Sequence, residues 1–131
     1  EYVASTLVVR MIQKKINIAD AKVLLLGFTF KENCPDIRNT RVIDIYDILI
    51  KMPLKVEIYD PYYSGGEGTL YDHLFFHDEL PTTRYDAVVI AVGHDEYRSL
   101  GVCGIKSLAK PNSVIFDLKS LLHKDDSDLR L

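Results

Sequence analysis

The segment Phe30-Lys31-Glu32-Asn33-Cys34-Pro35-Asp36-Ile37-Arg38 holds the densest set of residues able to do chemistry. It leaves an apolar run and enters a helical pattern. Lys31 and Arg38, seven residues apart, bring two cations to a point where free helix N–H groups already favour anions. Phosphate or carboxylate binding is one use of such a pair. The other is internal: Arg38 pairs with Asp36 or Glu32, and Lys31 is solvated. Cys34 between these cations is a candidate nucleophile, but no histidine near it in sequence can serve as base, and a small buried thiol fits the same position. Cys103, flanked by Gly101 and Gly104, reads as structural.

Other candidates carry competing explanations. His73 and His77 are four apart and would share one face of a helix. Two histidines without the companion Glu of H-E-x-x-H are a poor zinc signature, so no metal is expected. His94-Asp95-Glu96 follows a strongly apolar run and faces the first loop; it either touches ligand or caps the next helix. Asp60 stands where a ribose-binding acid would end the second strand of a dinucleotide fold, yet Pro61 after it favours a turn. Gly65-Gly66-Glu67-Gly68 does not open a helix after a buried strand, so it reads as a flexible loop and not a phosphate loop.

These residues need elements to position them. Val3, Leu7 and Met11 recur every four residues, as do Val8, Ile12 and Ile16, predicting a helix that runs to Ile18. Lys22 to Phe28 is apolar without alternation, which a parallel sheet covered on both faces requires. Thr40 to Met52 is helical, with Asn39 as its N-cap and Pro53 just beyond. Lys55 to Tyr59 alternates and stops at Asp60-Pro61. A short strand is expected near Phe75-Phe76-His77. Tyr85 to Val92 is a second buried strand. Tyr97 to Lys110 predicts helical turns broken by Gly101 and Gly104. Pro111-Asn112 then precedes a last strand, Ser113 to Phe116, ending at Asp117. The charged tail from His123 is expected to fray. Strands alternating with helices give a doubly wound α/β sheet. In such a sheet ligands sit beyond the carboxyl ends of the strands, where Phe28 to Asn39, Asp60 to Tyr63, Gly93 to Tyr97 and Asp117 to Ser120 fall.

The 131 residues suit one domain with a core of its own, and 47% hydrophobic with 27% charged residues is an ordinary globular balance. A net charge of −3 lacks the basic excess of a nucleic-acid surface or a polybasic membrane anchor. The eight tyrosines and five phenylalanines are scattered and form no stacking platform. No apolar run approaches a membrane span, and no signal peptide is expected in the opening residues. Two cysteines make no disulfide framework, which fits a reducing, cytoplasmic compartment. The first residue is Glu1 and not Met, and the chain opens directly into a helical pattern, so a piece of a longer polypeptide is expected.

KVLLLGFTFKENCPDIRNTRVIDI, Lys22 to Ile45, resembles the start of the C-terminal, UDP-binding domain of the UDP-glucose/GDP-mannose 6-dehydrogenase family. FKENCPDIRNT is most similar to the bacterial branch that oxidises UDP-N-acetylhexosamines for surface polysaccharides. VEIYDP (Val56 to Pro61), AVGHDEY (Ala91 to Tyr97) and IFDLK (Ile115 to Lys119) follow in the family's order. The resemblance implies a Rossmann-like three-layer α/β sandwich with a mostly parallel sheet, here without G-x-G-x-x-G, because Gly27 is followed by Phe28-Thr29-Phe30. It implies that residues 1–18 end an interdomain linker helix and that 19–131 form the UDP-sugar-binding domain.

The whole enzyme would oxidise the sugar C6 alcohol to a carboxylate with two NAD and a thiohemiacetal on a cysteine of an earlier domain. This chain would then hold no catalytic residue, and Cys34 would not be the nucleophile. Phe30, Lys31 and Lys119 would contact the UDP-sugar; Arg38 would reach NAD, in some members across a subunit boundary. Lys119 stands where the family usually has Arg, a change that gives up a bidentate fork for a point charge. A homo-oligomeric full-length enzyme is implied. UDP-glucose or GDP-mannose as substrate is an alternative, as is a stand-alone flavodoxin-like binding or regulatory module.

Overall fold

The computed structural model describes residues 1–65 and 71–131. The elements run α1 (Tyr2–Gln13), β1 (Lys22–Leu26), α2 (Val42–Leu49), β2 (Lys55–Tyr59), β3 (Phe76–His77), β4 (Tyr85–Ile90), α3 (Asp95–Lys106), β5 (Ala109–Asp117), a 3-10 turn at Lys124–Asp126, and β6 (Leu129–Arg130). All strand pairs are parallel, in the order β3-β2-β1-β4-β5-β6. This is the doubly wound arrangement of nucleotide-binding sheets, not the 2-1-3-4-5 order of flavodoxins.

Apolar runs without alternation fill the centre, as sheet covering on both faces demands. Val23 and Leu25 of β1 pack toward α1 and α2 with Leu7, Met11 and Leu49, while Leu24 and Leu26 pack toward α3 with Tyr97 and Ile105. Ala4, Leu7 and Met11 are fully buried. Burying a Leu or Met side chain contributes about 1.5–3 kcal/mol. So α1 is bound into the core of the sheet and is not a free arm.

Several expectations need correction. The first helix stops at Gln13 and not Ile18, because Lys15 turns left-handed (φ 62°). Lys15 N–H donates to Ile12 O at 2.9 Å and Ile16 N–H to Met11 O at 3.0 Å, a Schellman ending made without glycine. Asn39 does not cap α2. It has φ 62°, and the Thr40 hydroxyl accepts from Val42 N–H at 3.3 Å while donating to Phe28 O. Gly101 breaks α3 (φ 67°), whereas Gly104 stays within it. The last strand starts at Ala109, with Lys110–Ser113 bulged out where its register to β4 shifts from Tyr85↔Ala109 to Ala87↔Val114. Pro111 is tolerated in that bulge.

The tail is ordered where fraying was expected. β6 pairs with β5, and Asp128 accepts Ile115 N–H at 2.8 Å and Lys14 Nζ at 2.7 Å. Of the Gly-rich stretch, Gly66 to Gly68 lie outside the described residues. Among those residues, no helix is long and apolar enough to cross a membrane.

Candidate functional site

After β1 the chain crosses to α2 on one face of the sheet; after β4 it crosses to α3 on the other. A crevice must open between the two departing segments. It is a cleft of about 420 Å³, walled by Phe30, Lys31 and Glu32 after β1, Arg41 before α2, Gly93 after β4 and Lys119 after β5. The predicted substrate residues Phe30, Lys31 and Lys119 are thus brought to one place from two loops 88 positions apart (119 − 31). Phe30 is half exposed, an apolar ring at the mouth of a cationic cleft. Among the described residues Lys31, Arg41 and Lys119 have no ion-pair partner. Three free cations beside the first turn of α2 suit a ligand carrying more than one negative charge.

Buried carboxylates build the walls. Asp117 accepts Lys119 N–H at 3.2 Å and Leu122 N–H at 2.8 Å, fixing the turn that presents Lys119. Asp60 does the same for the first loop: Oδ2 accepts Phe28 N–H at 2.7 Å and Thr29 N–H at 3.0 Å, and Oδ1 accepts Tyr62 N–H at 2.8 Å. Burial opposes ionisation of Asp60, but the bonds from His94 and these amides outweigh it and hold the carboxyl below its usual range. Buried and saturated, Asp60 forms a turn and does not meet a ribose.

Arg38 lies outside the cleft. Its guanidinium forks onto Asp36 at 3.0 and 3.1 Å and is largely exposed, which is the internal pairing allowed from sequence. The Arg38 bonds lower the Asp36 carboxyl, and Asp36 raises the guanidinium. His94 is fully buried and sits behind the first loop, so it does not line the cleft. Its neighbour Asp95 does not cap α3 with its own side chain; Asn33 Oδ1 accepts Asp95 N–H at 2.8 Å instead. His73 and His77 do not share a helix. His77 bonds Glu57 at 2.7 Å on β3, while His73 meets the Tyr46 ring edge-on. Among the described residues no group of three His, Cys, Asp or Glu is placed to hold a metal. Cys34 is half-buried and Cys103 exposed; neither forms a disulfide.

Arg41 is the cleft residue that sequence reasoning did not single out. Its signal was available: a third cation of the same loop, placed immediately before the helix. A second depression, about 370 Å³, lies at the amino ends of β4 and β5. Its Lys14 and Lys110 are already paired, with Asp128 and Asp86, and its other cations, Arg84 and Lys106, share the wall with Asp125 and Asp126, so its positive charge is offset by three wall carboxylates where the first cleft has Glu32 alone.

Residues 24–124 match the model of the UDP-glucose/GDP-mannose dehydrogenase family, UDP binding domain. The chain belongs to this family. It is 43% identical over 130 residues to UDP-N-acetyl-D-glucosamine 6-dehydrogenase of Salmonella typhi, covering 99% of this chain and 31% of that protein. It is 42% identical to the enzyme of the same name from Pseudomonas aeruginosa, with the same coverage. A crystal structure of NDP-N-acetyl-D-galactosaminuronic acid dehydrogenase from Methanosarcina mazei superposes with a TM-score of 0.78 at 29% identity, over 95% of this chain and 26% of that one. The chain therefore spans about a third of the length of its relatives, as one domain of the dehydrogenase family would.

Proposed function

We propose that this chain is the substrate-holding domain of an NAD-dependent dehydrogenase that converts the C6 alcohol of a UDP-N-acetylhexosamine to a carboxylate, for bacterial polysaccharide synthesis in the cytoplasm. The observation that carries this reading is the convergence of Phe30, Lys31, Arg41 and Lys119 on one cleft at the switch point of the sheet. The diphosphate would meet the cations, and Phe30 would pack against base or sugar. The N-acetyl sugar is supported by the names of the two relatives that are 43% and 42% identical. UDP-glucose or GDP-mannose would use the same cations.

Among the described residues NAD finds no cradle. A Cβ on Gly27 would strike Val92, the glycine fingerprint is missing, and Asp60 is saturated. The nicotinamide cofactor, which accepts hydride, would be bound by an earlier domain. Exposed Arg38 is this chain's contribution to it, within one subunit or across to another in a homo-oligomer. Residues 1–18 would end the linker from those domains, with 19–131 as the domain proper. No residue here is assigned a catalytic role.

The test is an NMR titration of this chain with UDP, UDP-N-acetylglucosamine, GDP and NAD. The reading expects shifts centred on Phe30, Lys31, Arg41 and Lys119 with the uridine ligands. Equal shifts with GDP would move the assignment to the mannose branch. Shifts confined to residues outside the cleft would refute it.

A further inference from the structure

We infer that His94 is the positioning residue of the cleft, tying the segment that carries Phe30 and Lys31 to the end of β2 and the start of α3. Its functional meaning rests on the nucleotide reading above. Asn33 N–H donates to His94 Nδ1 at 2.9 Å, so that nitrogen carries no proton. The proton is on Nε2, which lies 2.9 Å from Asp60 Oδ2 and 3.2 Å from Thr29 Oγ1. The ring is neutral, of one tautomer, with every polar atom engaged and no exposure to solvent. The Tyr62 ring on one side (4.7 Å) and the Tyr97 ring of α3 on another (5.5 Å) leave it no room to turn.

Segment 28–33 is therefore fixed along its whole length. Asp60 holds the Phe28 and Thr29 amides. Thr29 Oγ1 donates to Lys31 O at 3.0 Å. His94 holds Asn33. Asn33 is left-handed (φ 57°), a conformation Asn tolerates, and this lets its amide face His94 while its side chain faces Asp95 N–H. With the inner polar atoms pinned, Phe30, Lys31 and Glu32 are held at the cleft wall. Burying an imidazole and a carboxylate together is costly unless the geometry is complete, and here it is. A loop could close without the pair; the pair adds one fixed orientation, the condition for a site to bind without first ordering itself.

Two substitutions separate the bonds. His94→Asn keeps an acceptor near the Nδ1 position; His94→Gln keeps a donor near Nε2. In this chain, the Asn33 amide should exchange about tenfold faster in His94→Gln than in His94→Asn. UDP affinity should fall about tenfold or more in His94→Gln and less in His94→Asn, at matched denaturant midpoints. Affinity losses that simply follow stability in both variants, or no loss in either, would overturn the inference. Should the variants not fold, the unaltered chain still decides it: a ¹⁵N spectrum must show the Nε2–H tautomer and a protected Asn33 amide, and an Nδ1–H ring overturns it. If the unaltered chain binds no UDP while the tautomer and exchange are as expected, the nucleotide reading fails and the tie stands.

Discussion

A Cβ added to Gly27 would lie 2.6 Å from the Val92 Cβ and 2.9 Å from the Val92 backbone nitrogen. The ends of β1 and β4 touch here, with Ala91 and Val92 N–H both reaching Leu26 O at 2.9 and 3.3 Å. Gly27 also has φ 104°, where an L side chain is strained. Gly27→Ala must therefore push the strands apart at the base of the cleft. We expect it to lower unfolding stability by about 2–4 kcal/mol, combining backbone strain and overpacking, as read by urea denaturation.

Much of the sheet was legible because local rules and tertiary demands agree there. Lys55–Tyr59 alternates, ends at Asp60-Pro61, and is a strand with the expected bounds. The fold failed to show where the signal residue was of an unusual type: Lys15 ends α1 in a conformation normally given to glycine. The tail looked like a solvated charge run, but its order depends on Asp128 meeting Ile115 and Lys14, partners 13 and 114 positions away. In the site, Phe30, Lys31 and Lys119 came from motif resemblance, and the fold brings them together. Asp60 and His94 were each noticed singly. Their pairing across 34 positions depends on β2 and β4 flanking β1, a register no local pattern encodes.

Lys31→Ala removes a cleft cation that has no ion-pair partner among the described residues, so folding should be unaffected. UDP affinity of this chain should fall about tenfold, the usual scale for one charge-assisted bond. In the full-length enzyme KM for the UDP-sugar should rise while KM for NAD holds. Lys119→Arg supplies a bidentate fork at this position, and its affinity should equal or exceed that of the unaltered chain. Equal losses for sugar nucleotide and NAD on Lys31→Ala would count against the assignment.

Arg38 gives the opposite pattern. Its pair with Asp36 is exposed, and such pairs add little to stability. Arg38→Ala should leave the melting temperature and UDP binding unchanged and raise KM for NAD in the full-length enzyme. A lower melting temperature with unaltered NAD use would make Arg38 purely structural.

Deleting residues 128–131 removes the Asp128 carboxylate from Ile115 N–H and strips β6 from the sheet edge. Lys14 Nζ keeps the Ser113 carbonyl at 2.6 Å but loses its charge partner. Thermal unfolding should shift down by about 3–5 °C, corresponding to roughly 1 kcal/mol for a domain between the small and the large size classes. An unchanged midpoint would return the tail to the frayed state that its composition implies.

Acid should unfold the domain through Asp60 and Glu57. Burial raises both carboxyls, but other effects outweigh it: bonds from His94 and three amides for Asp60, and bonds from Tyr85 and His77 with the Lys22 charge for Glu57, leaving both below their ordinary values of 3.8 and 4.5. A carboxyl whose pKa is lower folded than unfolded binds more protons when unfolded. Its contribution is therefore complete above the ordinary value and is lost as pH falls through the folded one. Stability should be flat from neutrality to about pH 5 and decline steadily below pH 4.5. Asp60→Asn keeps the shape but removes the charge the amides and His94 address. It should be destabilised at pH 7 by about 2–4 kcal/mol and show a shallower acid decline, since one of the two titrating groups is gone. Parallel pH profiles for Asp60→Asn and the unaltered chain would show that Asp60 does not drive the transition.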